Sequence, residues 1–243
     1  MCPGATDKVA CLAGRYQSAT SQSNCDRCEE GKYQGDEGKM ACIDCSPGYL
    51  CPELSTIMFE CGSPALWCPA KSALPNATTL GYYTTPEDES QETIRTSQEV
   101  CEAGYECVGG VKTACMAGIA FQSSPGQGSC QMCSLCGPGK YMTSECTTTQ
   151  DRGCQACKAG TYSLGKNAKV CLSCDSEGQY QDTANSSSCK SANAGFRPKS
   201  DRTGTIQCQA GRFSTGGSNT CEQCSDGTYS NTEGASGCNA AAA

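Results

Sequence analysis

Cysteine recurs along this chain at nearly constant intervals, and that spacing limits the fold more than any other feature. The unit Cys-x-x-Gly-x-Tyr/Phe appears without a gap at Cys11-Gly14-Tyr16, Cys28-Gly31-Tyr33, Cys136-Gly139-Tyr141, Cys157-Gly160-Tyr162, Cys208-Gly211-Phe213 and Cys224-Gly227-Tyr229. Cys174-Gly178-Tyr180 has one extra residue, and Cys115-Gly118-Phe121 moves its aromatic by one. Each unit ends on a Cys-x-x-Cys at a nearly constant distance, so one cysteine closes a loop and the next opens another. This spacing predicts the pairs Cys11–Cys25, Cys28–Cys42, Cys157–Cys171, Cys174–Cys189, Cys208–Cys221 and Cys224–Cys238, although connectivity does not follow from sequence alone. Glycine lets the chain take positive φ where it turns after the first cysteine. The aromatic is expected to start a short strand and cover the disulfide.

The chain has 25 cysteines in 243 residues, a density that marks a disulfide scaffold. Leu, Ile, Val and Phe together fill fewer than one position in ten. That is too few to offset the conformational entropy of folding without cross-links. A disulfide closing a loop of about fifteen residues contributes roughly 3 kcal/mol in the chain-entropy model, so a dozen can replace a core. Such bonds persist outside the cell or in the secretory pathway, which predicts a secreted or cell-surface location. No run of eighteen apolar residues is present to insert into a membrane. Met1-Cys2-Pro3 is not the start of a signal peptide, so a mature product or a fragment is expected. The odd cysteine count points the same way, or to a free thiol or an interchain bond.

The net charge of −7 argues against nucleic-acid binding. The absence of histidine removes Ser-His-Asp and Cys-His catalysis and histidine zinc sites. The chain therefore reads as no enzyme, with no cofactor. Zinc is the competitor for Cys25-Cys28 with Cys42-Cys45, and for Cys154-Cys157 with Cys171-Cys174. Disulfides are favoured because the same glycine and aromatic follow each Cys-x-x-Cys. Asn76-Ala-Thr78 and Asn185-Ser-Ser187 are glycosylation sequons, predicting glycans at Asn76 and Asn185. Trp67 is a candidate interface anchor, with packing the plainer role. Ala240 to Ala243 are given no meaning.

The repeat at residues 11–51 and 157–238 resembles the ephrin-receptor-like cysteine-rich module. Residues 115–157, with "GKYMTSEC" and "QDRGC", resemble a tumour-necrosis-factor-receptor module. That second resemblance implies the pairs Cys115–Cys130, Cys133–Cys146 and Cys136–Cys154. Residues 45–115 fit neither pattern and are similar to cysteine-rich arrays on surface proteins of protists and algae. Cys2, Cys45, Cys51, Cys61, Cys68, Cys101 and Cys107 are left unassigned, and contacts with neighbouring chains are expected there. The expected fold is small and disulfide-rich: tandem short β-hairpin and irregular modules, almost no helix, strung into an elongated rod. Its divisions are 1–68, a cysteine-free joint or packed loop at 69–100 with an acidic run at 86–89, 101–157, and 157–243. A second cysteine-free stretch, 190–207, carries Arg197, Lys199 and Arg202. The expected function is structural: a rod in an extracellular filament, surface fibre or coat, with a flagellar hair as its sharpest form. Its partners would be copies of itself or other extracellular structural proteins. The alternative is the ligand-binding ectodomain of a cell-surface receptor.

Overall fold

The computed structural model describes residues 10–19, 24–87 and 92–241; Cys2, Asp88, Glu89, Ala242 and Ala243 lie outside them. Among the described residues there is no helix. The strands pair strictly in sequence order into two-stranded antiparallel hairpins, from β1 (Arg15–Tyr16) with β2 (Asp26–Arg27) to β25 (Thr228–Tyr229) with β26 (Asn239–Ala240). The fold is a small disulfide-rich one made of tandem modules. It divides into two compact units. The first is Met1–Met132 with Thr148–Gln150, and the second is Cys133–Thr147 with Asp151–Ala243.

A two-stranded hairpin is marginal by itself in water, so the modules must support one another. The repeat glycine is where they do so. The N–H of Gly14 donates to the Gln34 carbonyl at 2.8 Å, that of Gly31 to Cys51 at 2.8 Å, and that of Gly160 to Gln181 at 2.6 Å. Each acceptor stands three residues after the glycine of the next module. The carbonyl of Gly14 accepts from the N–H of Cys28, which opens that next module, at 2.9 Å.

A third contact comes from two modules ahead. A Cβ on Gly14 would meet the Leu54 carbonyl oxygen at 2.5 Å, and one on Gly160 would meet that of Asp201 at 2.8 Å. Gly31, Gly81, Gly139, Gly178 and Gly195 are covered more tightly still, by the backbones of Lys71, Gly126, Asn185, Gly217 and Gly234. Glycine is therefore required twice over, by its positive φ and by this close approach. Gly211 and Gly227 have positive φ but no atom in that space.

The core is sulfur. Among the described residues, apart from Tyr83, Phe121, Ala192, Pro198 and the turn glycines, every buried apolar residue is a cysteine. In most of the long loops the first cysteine is buried and its partner half-buried, whereas both cysteines of each short pair are buried. The repeat aromatics Tyr16, Tyr33, Tyr141, Tyr162 and Tyr180 are only half-buried, so they cover less than the sequence suggested.

The structure joins Cys11–Cys25, Cys28–Cys42, Cys157–Cys171, Cys174–Cys189, Cys208–Cys221 and Cys224–Cys238. Six of the cysteines without an assignment pair inside the chain, as Cys45–Cys51, Cys61–Cys68 and Cys101–Cys107, with sequence separations of 6, 7 and 6. This pairing leaves none of the six for a disulfide to a neighbouring chain. The second cysteine of each short pair stands three residues after Gly48, Ala65 or Gly104, at a position that is buried in most modules. Elsewhere that position holds the buried Gln34, Thr84, Phe121, Ser163, Gln181, Pro198, Ser214 or Ser230, and the half-buried Gln17 or Met142. Residues 45–115 thus follow the same hairpin register with a different staple. The cysteine-free stretch 69–100 holds β8 (Asn76–Ala77), β9 (Tyr82–Thr85) and β10 (Ser97–Val100). The stretch 190–207 likewise holds a hairpin, β21 (Phe196–Pro198) with β22 (Thr205–Gln207).

Candidate functional site

The most distinctive part of the array is residues 115–154. Its first half, in unit 1, is a hairpin of β13 (Ala120–Phe121) and β14 (Gln131–Met132), stapled by Cys115–Cys130. Phe121 is buried, and beside it Gln122 holds the loop closed. The Gln122 Nε2 donates to the Ser129 carbonyl at 2.7 Å, and its Oε1 accepts from the Ser124 N–H at 3.2 Å. Gln34 and Gln181 repeat the clamp, donating to Ala41 at 2.8 Å and to Ser188 at 2.7 Å. Sequence reasoning overlooked it, although the signal was there: glutamine follows the aromatic in Tyr33-Gln34, Phe121-Gln122 and Tyr180-Gln181, always at the same distance before the closing cysteine.

The second half, in unit 2, has two disulfides, Cys133–Cys146 and Cys136–Cys154. They bracket β15 (Lys140–Ser144) and β16 (Gly153–Ala156), whose register shifts between Met142 and Ser144. Asp151 organises the turn into β16. Its carboxylate accepts from the Ser134 N–H at 2.7 Å, from the Ser134 hydroxyl and from the Arg152 N–H at 2.7 Å. The Arg152 Nη1 donates to the Ser134 carbonyl at 2.6 Å. The Ser134 hydroxyl, ahead of these backbone bonds, holds the Asp151 pKa below the ordinary aspartate range. Asp151-Arg152-Gly153-Cys154 is thus a structural lock.

What these staples leave outside is apolar. Met116, Ile119 and Met132 in unit 1 are 64%, 50% and 74% exposed. A small module held by disulfides and backbone bonds can present such side chains without losing stability, and exposed apolar groups mark contact surfaces when they gather.

Upstream, the module that lacks a disulfide is held by a polar cluster. Tyr83 on β9 packs against Cys101 and Cys107. Lys112, on β12 (Val111–Ala114), lies with its Nζ 4.1 Å from the Tyr83 ring centroid and 3.0 Å from the Glu87 carboxylate. The Tyr83 hydroxyl donates to Glu99 at 3.1 Å. Burial pushes the Tyr83 pKa up, and the Glu99 bond adds to it. Burial alone would lower Lys112, but its bond to Glu87 and the charges of Glu87, Tyr83 and Glu102 outweigh that and raise it. The cluster braces the module, each polar group being engaged by another.

Asn76, on β8, and Asn185 are both exposed. Trp67, on β7 (Leu66–Trp67), is half-buried, and its Nε1 has no hydrogen-bond partner among the described residues. Cys25, Cys28, Cys42 and Cys45, the first zinc candidate, are each disulfide-bonded, and so are Cys154, Cys157, Cys171 and Cys174. Among the described residues, no helix is long and apolar enough to cross a membrane.

Residues 115–154 match the family model of the TNFR/NGFR cysteine-rich region. The matched span starts at Cys115 and ends at Cys154, the outermost cysteines of the three disulfides described above. It does not reach residues 11–51 or 157–238, where the ephrin-receptor-like resemblance lies. No curated protein matches the chain.

Proposed function

We propose that this chain is part of the ectodomain of a receptor-type cell-surface protein that binds a protein ligand. The observation that carries the reading is the TNFR/NGFR-like match over residues 115–154, which contain Cys115–Cys130, Cys133–Cys146 and Cys136–Cys154. Twelve disulfides further support an oxidising, extracellular setting. Binding in such a module needs no moving parts. The staples fix the backbone before the ligand arrives, so little ordering entropy is lost on contact. The exposed Met116, Ile119 and Met132 supply apolar contact area, and the array spaces this module from its neighbours. The filament reading has no observation of its own, and six of the seven cysteines expected to meet neighbouring chains bond within this one.

The two readings separate in native material. Intact cells are labelled with a membrane-impermeant biotin, and membranes are then washed in alkaline carbonate. The receptor reading expects labelled protein that stays with the membrane and becomes monodisperse in detergent. Labelled protein that sediments as a polymer and is released only by reductant would sink it. The exposed sequons are expected to carry glycans. Peptide mass spectrometry after glycosidase treatment should mark Asn76 and Asn185, and unmodified peptides at both would remove that part of the proposal.

A further inference from the structure

Charge is divided unevenly between the two units. Unit 1 holds sixteen of the 25 acidic residues and eight of the 18 basic ones, while unit 2 holds nine and ten. Within unit 2 the basic residues concentrate at 190–212, where Lys190, Arg197, Lys199, Arg202 and Arg212 stand against Asp201 alone. Lys190 is paired with Asp182, whereas the other four make no ion pair among the described residues. Asp201 spends its carboxylate on the Thr203 N–H and hydroxyl, at 3.1 and 2.8 Å.

This basic stretch is the second hairpin without a disulfide, and a cleft of about 430 Å³ opens between it and the next one. Arg197 comes from β21, Ile206 and Gln207 from β22, Gln209 from the connection, and Arg212 from β23 (Arg212–Phe213). Two guanidinium groups are anchored there without being neutralised. The Arg197 Nη1 donates to the Pro198 carbonyl at 3.3 Å, and the Arg212 Nη1 to the Cys221 carbonyl at 3.1 Å. Asn219, also on the cleft wall, has its Oδ1 taken by the Gly178 N–H at 2.9 Å and the Arg202 Nη1 at 2.6 Å. Its amide hydrogens therefore remain as donors. The cleft thus combines two cationic forks, three side-chain amides and one exposed aliphatic, Ile206.

We infer that this cleft binds an anionic saccharide unit of an extracellular polysaccharide. A planar guanidinium matches the paired oxygens of a carboxylate or a sulfate ester. The amides of Gln207, Gln209 and Asn219 suit ring hydroxyls, which both donate and accept. Ile206 offers a face to the apolar side of a sugar ring. An acidic peptide would use the two arginines but offers no ring face to Ile206 and no array of hydroxyls to the amides, so poly-glutamate serves as the contrasting probe. The inference concerns a different region from residues 115–154 and does not depend on the receptor reading.

The test uses the full oxidised chain on surfaces carrying heparin, hyaluronan, neutral dextran or poly-glutamate. Heparin offers sulfates and uronates, while hyaluronan offers uronates only. The expected result is binding to heparin, to hyaluronan or to both, and none to dextran; which surfaces bind identifies the anionic group. Replacing both Arg197 and Arg212 with alanine should weaken binding by about tenfold or more, as loss of charge-assisted bonds does. The double variant Lys166→Ala with Lys169→Ala removes equal charge elsewhere in unit 2 and should change binding less than about twofold, an effect of screened surface charge. Disulfide mapping of both variants keeps misfolding apart from lost contacts. Equal loss in the two variants, binding to no polysaccharide, or arginine-dependent binding to poly-glutamate alone would overturn the inference.

Discussion

Gly139 carries two costs that substitution can separate. It sits at φ +83°, and a Cβ there would run into the Asn185 backbone. Gly211 has φ +80° with open space, and Gly137 has open space without positive φ. Alanine at Gly211 should cost about 1–2 kcal/mol for the left-handed backbone alone. At Gly139 the clash adds to that, for about 3 kcal/mol or more, and at Gly137 the change should stay within about 0.5 kcal/mol. Guanidinium midpoints with the disulfides intact decide the order. If Gly139 and Gly211 fall equally, the contact from two modules ahead carries no weight. Tyr83 makes a second residue-scale prediction. Its folded-state pKa is raised above the ordinary value of 10.0, so its contribution is complete below that pH and is lost as pH climbs through the folded value. Lys112 is also raised and has the same sign, so the brace weakens in alkali. An ultraviolet titration should show a late tyrosine ionisation that Tyr83→Phe removes. A titration curve whose late phase is unchanged in Tyr83→Phe would mean that Tyr83 is not held as described.

At the scale of the hairpin, the staple comes in two lengths. Cys45–Cys51 spans 6 residues and Cys136–Cys154 spans 18. Chain entropy assigns about 2 kcal/mol to the first and about 3 kcal/mol to the second. Paired alanine substitutions should therefore lower the thermal midpoint less at 45 and 51 than at 136 and 154. The reverse order would mean that burying sulfur matters more than closing the loop. The hairpins were legible from the sequence wherever cysteine, glycine and aromatic coincided, as at Cys157-Gly160-Tyr162. They were hidden where one of the three was missing. Ala65 replaces the glycine in one module, and Ala192 replaces the opening cysteine in another. The hairpin of β9 and β10 has no disulfide and relies on Tyr83, Thr84 and Lys112. Thr84 is buried, and its hydroxyl donates to the Pro64 carbonyl at 2.8 Å. A motif search keyed to cysteine cannot see a module whose staple is a threonine and a lysine. The basic cleft was half visible: Arg197 stood out in the sequence, but Arg212 and Asn219 join it only through hairpin stacking.

Across a whole unit, stability is serial, because most hairpins are bonded to the next and covered by the one after. A lesion at Gly139 should therefore spread over three modules and then stop. Hydrogen exchange in Gly139→Ala should quicken between residues 136 and 189 and stay unchanged from 208 to 238. A uniform rise through unit 2 would mean that the unit opens as one block. The covering contact also has a consequence in time. A polypeptide is made from its N-terminus, so Gly14 leaves the ribosome well before Leu54, and Gly139 well before Asn185. Each covered module that carries a disulfide, such as those of Gly14 and Gly139, spends an interval exposed, with reactive thiols, until its second successor emerges. An oxidase that worked faster than translation would find cysteines whose final neighbours had not yet been built. Oxidation that keeps pace with synthesis is therefore expected to favour the native pairs.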